Sequence, residues 1–372
     1  MPDVVTAPGS AGNSPARAEE ARDGVNPLAR LLRWETLIAF LIVVTCIVGS
    51  QLSGEFLTTD SITTSTFDMI EVALMALPLT LVIVAAEIDL SIASVLGLSS
   101  AVMGKLWNAG LPIEAIMLIC LGLGVVCGAF NGFLVTRLGL PSLAVTIGTM
   151  GLYRGLAFVV LGDQSVTSFP SDWTDRAFGV VGGGDGWIPN VLILFAVLAV
   201  IFGFLLHYTP FGRTVYAIGA NEEAARFSGV RVKRARMILF TLSGLISALA
   251  GIEMTLREST ASADIGTGFE LTVVAAVVLG GVSIFGGRGR MGGVVLALIL
   301  LGAIQKALTL ANGVSSYWIQ IVDGILLVGS VLVPNLLARA REYRAHAGSS
   351  SRALRPVRAA TTTTGPRKEE EA

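Results

Sequence analysis

The sequence predicts an all-α polytopic membrane protein with about ten transmembrane helices and both termini in the cytoplasm. Mean hydropathy is +0.74 and only 14% of the 372 residues are charged, against about 25% in an ordinary soluble domain. Long apolar runs recur along the whole chain, separated by short polar stretches. Lys and Arg gather in alternate connections, which fixes an orientation.

The first 36 residues are rich in Ala, Pro, Gly, Ser and Arg and carry no apolar period. They read as a disordered cytoplasmic extension that becomes interfacial near Leu31 to Trp34. A lead this long is unlike a signal peptide, so the next segment reads as a retained anchor. Residues 37–335 then form the transmembrane domain, with apolar segments at 37–53, 70–86, 91–107, 113–133, 141–162, 188–207, 237–256, 270–285, 291–311 and 317–335. Several are shorter than the ~20 residues of a straight span, so tilted or partial spans are expected. Residues 336–372 read as a second disordered cytoplasmic tail, Arg- and Thr-rich and ending in KEEEA.

With the N-terminus inside, the cytoplasmic segments hold 21 of the 26 Lys and Arg. The opposite orientation strands them outside. Cys46, Cys120 and Cys127 all sit inside apolar runs, and the two histidines, His207 and His346, lie at a span end and in the tail. Neither a metal site nor a disulfide framework is indicated, and no cofactor is expected. GxxxxGK[ST] does not occur, so the chain is not expected to hydrolyse ATP by itself, and it is expected not to be an enzyme. Nothing points to nucleic acid.

EIDLS, residues 87–91, lies between two uncharged apolar runs. Two readings stand. Asp89 or Ser91 caps the third span, with Glu87 at the water boundary. Alternatively the second span is broken, and Glu87, Asp89 and Ser91 line the path or its inner gate. Asn131 and Thr149 are further polar candidates for the path. Gly124, Gly128 and Gly132 fall four apart on one helix face, and Gly151 and Gly155 repeat the spacing. Such faces allow close helix contact, either inside one subunit or at a dimer seam. A faint echo at an offset of 192 aligns Leu79, Thr80, Val82, Ser91 and Ile92 with Leu271, Thr272, Val274, Ser283 and Ile284.

In the longest cytoplasmic connection, 208–236, Asn221 suits an N-cap, Glu222 and Glu223 suit a helix's first turn, and Gly229 suits the left-handed position after its end. The helix from Asn221 to Ser228, with Ala224 and Arg226 inside it, is too short to stand alone. It lies on its own protein or the membrane, or it docks into a partner. Residues 287–292, GRGRMG, match a dinucleotide fingerprint by letter only, because no βαβ unit surrounds them. Gly287, Arg288, Gly289 and Arg290 read instead as a tight cytoplasmic turn held at the anionic leaflet. The outer loop 163–187 carries four Asp against one Arg. It reads as a receiving rim or as a solvated loop.

Three stretches, EIDLSIASVLGLSSAVMG, GRTVYAIGANEEAARFSGVRV and VLGGVSIFGGRGRMGGVVLALILLG, resemble in order the permease subunits of ribose-type ABC importers. ALPLTLVIVAAEIDLS is similar to the branch associated with rhamnose or autoinducer-2. The likeness runs from about residue 60 to 335. It implies a bacterial plasma-membrane permease for a sugar or sugar-like solute. It also implies a second permease chain, identical or not, cytoplasmic ATP-binding cassette subunits, and an extracytoplasmic sugar-binding protein. By the same resemblance, Asn221 to Ser228 is the ATPase-coupling helix. The alternatives are a branched-chain amino-acid ABC permease and an ion-coupled secondary transporter using Glu87 and Asp89.

Overall fold

The computed structural model describes residues 34–182 and 186–311, with scattered helical positions between 318 and 332. The two tails and most of the expected tenth span, 317–335, lie outside the described residues. The described part is helical: α1 Trp34–Leu52, α2 Thr59–Val84, α3 Ile92–Asn108, α4 Ile113–Arg137, α5 Ser142–Leu161, α6 Ser171–Phe178, α7 Asn190–Tyr208, α8 Pro210–Ala220, α9 Glu222–Phe227, α10 Val232–Arg257, α11 Phe269–Leu279 and α12 Met291–Leu310. A two-residue antiparallel pair, β1 Val166–Thr167 and β2 Thr260–Ala261, joins two connections.

Among the described residues, seven helices are long and apolar enough to cross a membrane: α1, α2, α4, α5, α7, α10 and α12. The chain is thus an all-α polytopic protein; the expected span 91–107 appears at its expected length and 270–285 is shorter than expected, and both fall below a straight crossing. At 17 and 11 residues, α3 and α11 rise only about 26 and 16 Å at 1.5 Å per residue. The expected second span was too short in the other direction, because α2 begins at Thr59 rather than 70. Its polar first turns stay helical for a local reason. The Thr58 hydroxyl accepts from Ser61 N, and Thr63, Thr64 and Thr66 donate back to carbonyls one turn earlier. The connection 208–236 holds two helices rather than one. Thr209 caps α8 by accepting from Gly212 N, and Pro210 occupies its first position.

α2 is the axis of the bundle. From Phe67 onward nearly every side chain is buried, packed by α10, α11, α12, α7 and α8. Its sequence is uniformly apolar because its surroundings are protein, where α1 and α7 expose many apolar side chains. α4 packs most intimately on α10. A methyl at Gly124 would lie 2.4 Å from Gly244 O, and one at Gly128 would lie 2.2 Å from Phe240 O. The first glycine face is therefore used inside the subunit. Around Gly151 and Gly155 nothing lies within 4 Å, so the second face is open.

α2 ends on a left-handed residue. Ala86 has φ 61, with Ala86 N donating to Ile83 O and Glu87 N to Val82 O. Alanine in this region costs roughly 1 kcal/mol that glycine does not. Ala86→Gly is expected to raise the melting temperature of the detergent-solubilised chain, read by tryptophan fluorescence. A lowered value would show that the turn needs the methyl against Gly286, where a Cβ would lie 2.7 Å away.

Candidate functional site: the helix break and its tie to the short helix

After Ala86 the chain turns back into the bundle. Asp89 is 1% exposed, and among the described residues its partners are hydroxyl and N–H donors rather than a cation. Its Oδ1 accepts from Ser91 N at 3.0 Å and Ser91 Oγ at 2.6 Å, and its Oδ2 accepts from Ser243 Oγ on α10 at 2.7 Å. Ser91 Oγ in turn accepts from Asn131 Nδ2 on α4 at 2.8 Å, and Asn131 Oδ1 accepts from Tyr153 OH on α5 at 3.3 Å. Asn131 stands six residues before the end of α4, and Ser243 eleven residues into α10. At 1.5 Å per residue the network lies about 9 to 16 Å inside those ends. Irregular backbone at such depth survives only where protein or a water-filled cavity surrounds it.

The two carboxylates of EIDLS therefore separate. Asp89 sits inside, and Glu87 sits at the edge of the bundle beside α9, where Arg236 Nε forms an ion pair with it. Burial pushes the Glu87 carboxyl above the ordinary carboxylate range, against the pull of the Ser142 hydroxyl and Arg236. The same guanidinium reaches Glu222 Oε2 through Nη2 at 2.8 Å. Glu222 is the first residue of α9, so one arginine ties the helix break to the short helix. Together they line a groove of about 470 Å³ with Arg137, Ser142, Arg226 and Lys233.

α9 is built as its residues require. Asn221 Oδ1 accepts from Ala224 N at 2.9 Å, and Gly229 takes φ 83. Ala225 is buried against the protein, and Glu222, its side chain 41% exposed, pairs with Arg236. Glu223, Ala224, Arg226 and Phe227 are exposed, with the Phe227 ring 90% exposed.

The glycine-arginine turn joins the same assembly. Gly287 N donates to Val84 O, the end of α2, at 2.8 Å, and Tyr216 OH on α8 donates to Gly289 O at 2.7 Å. Gly286 and Gly287 have φ 81 and 70, and a Cβ on Gly287 would lie 3.0 Å from Ala220. Glycine is required here for conformation and for closeness. Arg288 and Arg290 stand at the turn, and Arg290 Nη1 reaches Glu35 Oε1 at 3.5 Å.

Of the path candidates, Asp89, Ser91 and Asn131 share one hydrogen-bond network, and Glu87 stands apart from it on Arg236. Thr149 does not join them. It is buried, and its hydroxyl donates to Thr146 O within α5, whereas Thr146 reaches Ile88 O at 3.2 Å. Arg236, Ser243, Tyr153, Tyr216 and Phe227 were not singled out from sequence. Spacing marks none of them, although Arg236 is one of several basic residues clustered before α10. Arg154 was missed as well. It is the one charge in α5, and it donates to Ala263 O, Ile265 O and Ala93 O at 2.8, 2.9 and 3.1 Å. Its guanidinium holds an irregular segment bearing exposed Asp264 and Thr267 against the start of α3.

Comparison with known proteins gives consistent relatives. A family model described as "Branched-chain amino acid transport system / permease component" matches residues 61–331. The autoinducer 2 import system permease protein of Yersinia enterocolitica is 34% identical over 79% of this chain and 89% of its own length. That of Photorhabdus luminescens is 33% identical over 80% and 90%. The ribose import permease protein of Haemophilus influenzae is 32% identical over 82% and 94%. No solved structure is a significant match.

Proposed function

This chain belongs to the family of branched-chain amino acid transport system permease components, in its ribose-type ABC importer group, and from that membership we propose that it forms the translocation path for a sugar or sugar-like solute. The relatives' printed names, ribose and autoinducer 2, support that solute class over branched-chain amino acids. The chain is a multi-pass protein of the bacterial plasma membrane. It works there with a second permease chain, cytoplasmic ATP-binding cassette subunits and an extracytoplasmic sugar-binding protein.

The observation that carries the reading is the Glu87–Arg236–Glu222 bridge. An ATPase that moves α9 pulls, through Arg236, on the break where α2 ends. The buried Asp89 network is then the hinge of the inner gate. ATP does work on this chain only through contacts that differ between its two conformations.

The test is reconstitution with the ATPase subunits and binding protein, measuring uptake of labelled ribose against labelled leucine. ATP-dependent uptake of the sugar is expected. Glu223→Lys and Ala224→Pro should each abolish uptake, the second because proline disrupts the short helix. Normal uptake by both variants would remove α9 as the coupling element. Uptake that persists without ATP and collapses with an ionophore would replace the reading with an ion-coupled transporter.

A further inference from the structure

A cavity of about 610 Å³ opens where α1, α2, α7 and α12 meet, on the half of α2 away from the helix break. Nothing in the proposed transport cycle uses it. Its volume is that of a ligand pocket and far exceeds a packing defect. Its wall runs along α2 from Ser61 to Ala73 and along α12 from Val295 to Lys306. At 1.5 Å per residue these stretches rise about 18 and 17 Å. One leaflet of bilayer hydrocarbon is about 15 Å deep.

The wall is divided by chemistry. From Met69 onward the α2 side is hydrocarbon, as are Phe195 and Leu298, whereas Ser61 and Lys306 stand at the other end. Ser61 is 6% exposed, and its hydroxyl has no hydrogen-bond partner. The Lys306 amine donates to Thr64 Oγ1 at 2.7 Å, and among the described residues no carboxylate pairs with it. Asp60 and Asp68, one turn either side of Thr64, are exposed and outside the wall. An ammonium carries three N–H donors, so the amine keeps capacity for an anion. Leu57, Ile62 and Ile299 line the cavity and are exposed, so it is entered from the side of the bundle. A polyol against such walls would leave its hydroxyls unpaired.

We propose that this cavity binds an anionic phospholipid from the bilayer, its phosphate on Lys306 and one acyl chain lying along α2 and α12. Charge complementarity selects the headgroup. An ammonium set in an apolar wall attracts a phosphate, and a lipid carrying no cation of its own leaves that attraction whole. The Ser61 hydroxyl gains an acceptor among the phosphate and ester oxygens. The lipid then joins α2 to α12 beside the link that Lys306 already makes to Thr64.

The experiment places the full chain in phosphatidylcholine nanodiscs with phosphatidylglycerol that carries a photoreactive diazirine in its acyl chain. After irradiation, labelled peptides are identified by mass spectrometry. Label is expected on α2 and α12 at cavity residues such as Ala73 and Leu298. It should saturate against the phosphatidylcholine background and yield to unlabelled phosphatidylglycerol, but not to inorganic phosphate. Lys306→Gln keeps a donor for Thr64 and should need about tenfold more probe for half-maximal labelling, the low end for a charged hydrogen bond. Ala303→Phe, which fills the cavity, should lose the label. Label spread evenly over the lipid-facing helices, or equal half-maximal labelling in Lys306→Gln and the parent, overturns the proposal. Displacement by inorganic phosphate would mark a free-anion site and overturns it too. So does a disulfide between two copies of Ile299→Cys, which would give the cavity to a second permease chain. None of these readouts depends on solute or ATPase, so failure here leaves the transport reading untouched.

Discussion

Arg236→Ala is expected to abolish ATP-driven uptake by the assembled importer while the chain still reaches the membrane. The substitution leaves Glu87, whose side chain is 7% exposed, without its cation, and frees Glu222 on α9 at the same time. Breaking a buried ion pair costs about 3–5 kcal/mol. Arg236 keeps 18% exposure, so the low end applies. About 3 kcal/mol is about a hundredfold in any equilibrium that requires the tie. Arg236→Lys should recover little, because an ammonium lacks the planar fork that serves two carboxylates at once. The double variant Glu87→Gln with Arg236→Ala separates the two consequences. It removes the stranded charge and should restore stability, but it should not restore uptake. Wild-type uptake in either variant would show that the bridge carries no force.

Gly128→Leu is expected to eliminate the folded protein. The first atom of any side chain at 128 would meet the Phe240 carbonyl oxygen at 2.2 Å and Thr241 Cα at 3.0 Å. Both are backbone, so no rotamer change relieves the clash, and α4 must part from α10. That separation also pulls Asn131 from Ser91 and undoes the network around Asp89. The cost stands at or above the ~3 kcal/mol upper end of ordinary overpacking. Fluorescence-detected gel filtration should show aggregate in place of a monodisperse peak. Gly151→Leu is the internal control: nothing lies within 4 Å of its would-be Cβ, so the subunit should fold. A monodisperse Gly128→Leu protein would refute the α4–α10 packing.

Much of this was readable from residues. Hydropathy gives the class and most of the spans, since a helix in lipid or in a lipid-like core must be apolar. Asn221, Glu222 and Gly229 mark α9 because capping is local chemistry. The beginning of α2 was not readable, because threonines that look like a polar loop keep a helix by bonding their own backbone. α11 was read as longer than it is, since apolarity alone does not distinguish a helix from the glycine turn that follows it. EIDLS raised two alternatives that spacing could not decide. The structure parts its carboxylates between the groove and the interior, because Ser243 and Arg236, more than 140 residues away, receive one each. Partners that distant leave no local signature. Phe227 was passed over for a similar reason: one phenylalanine among apolar residues carries meaning only when seen to be uncovered.

The most direct test concerns the side of the membrane on which α9 lies. A single cysteine replaces Phe227 in a chain whose Cys46, Cys120 and Cys127 have been removed, and intact cells are treated with a membrane-impermeant maleimide. The account predicts no labelling until the cells are opened, after which the thiol reacts and is shielded by added ATPase subunit. Labelling from the outside medium in sealed cells would contradict it.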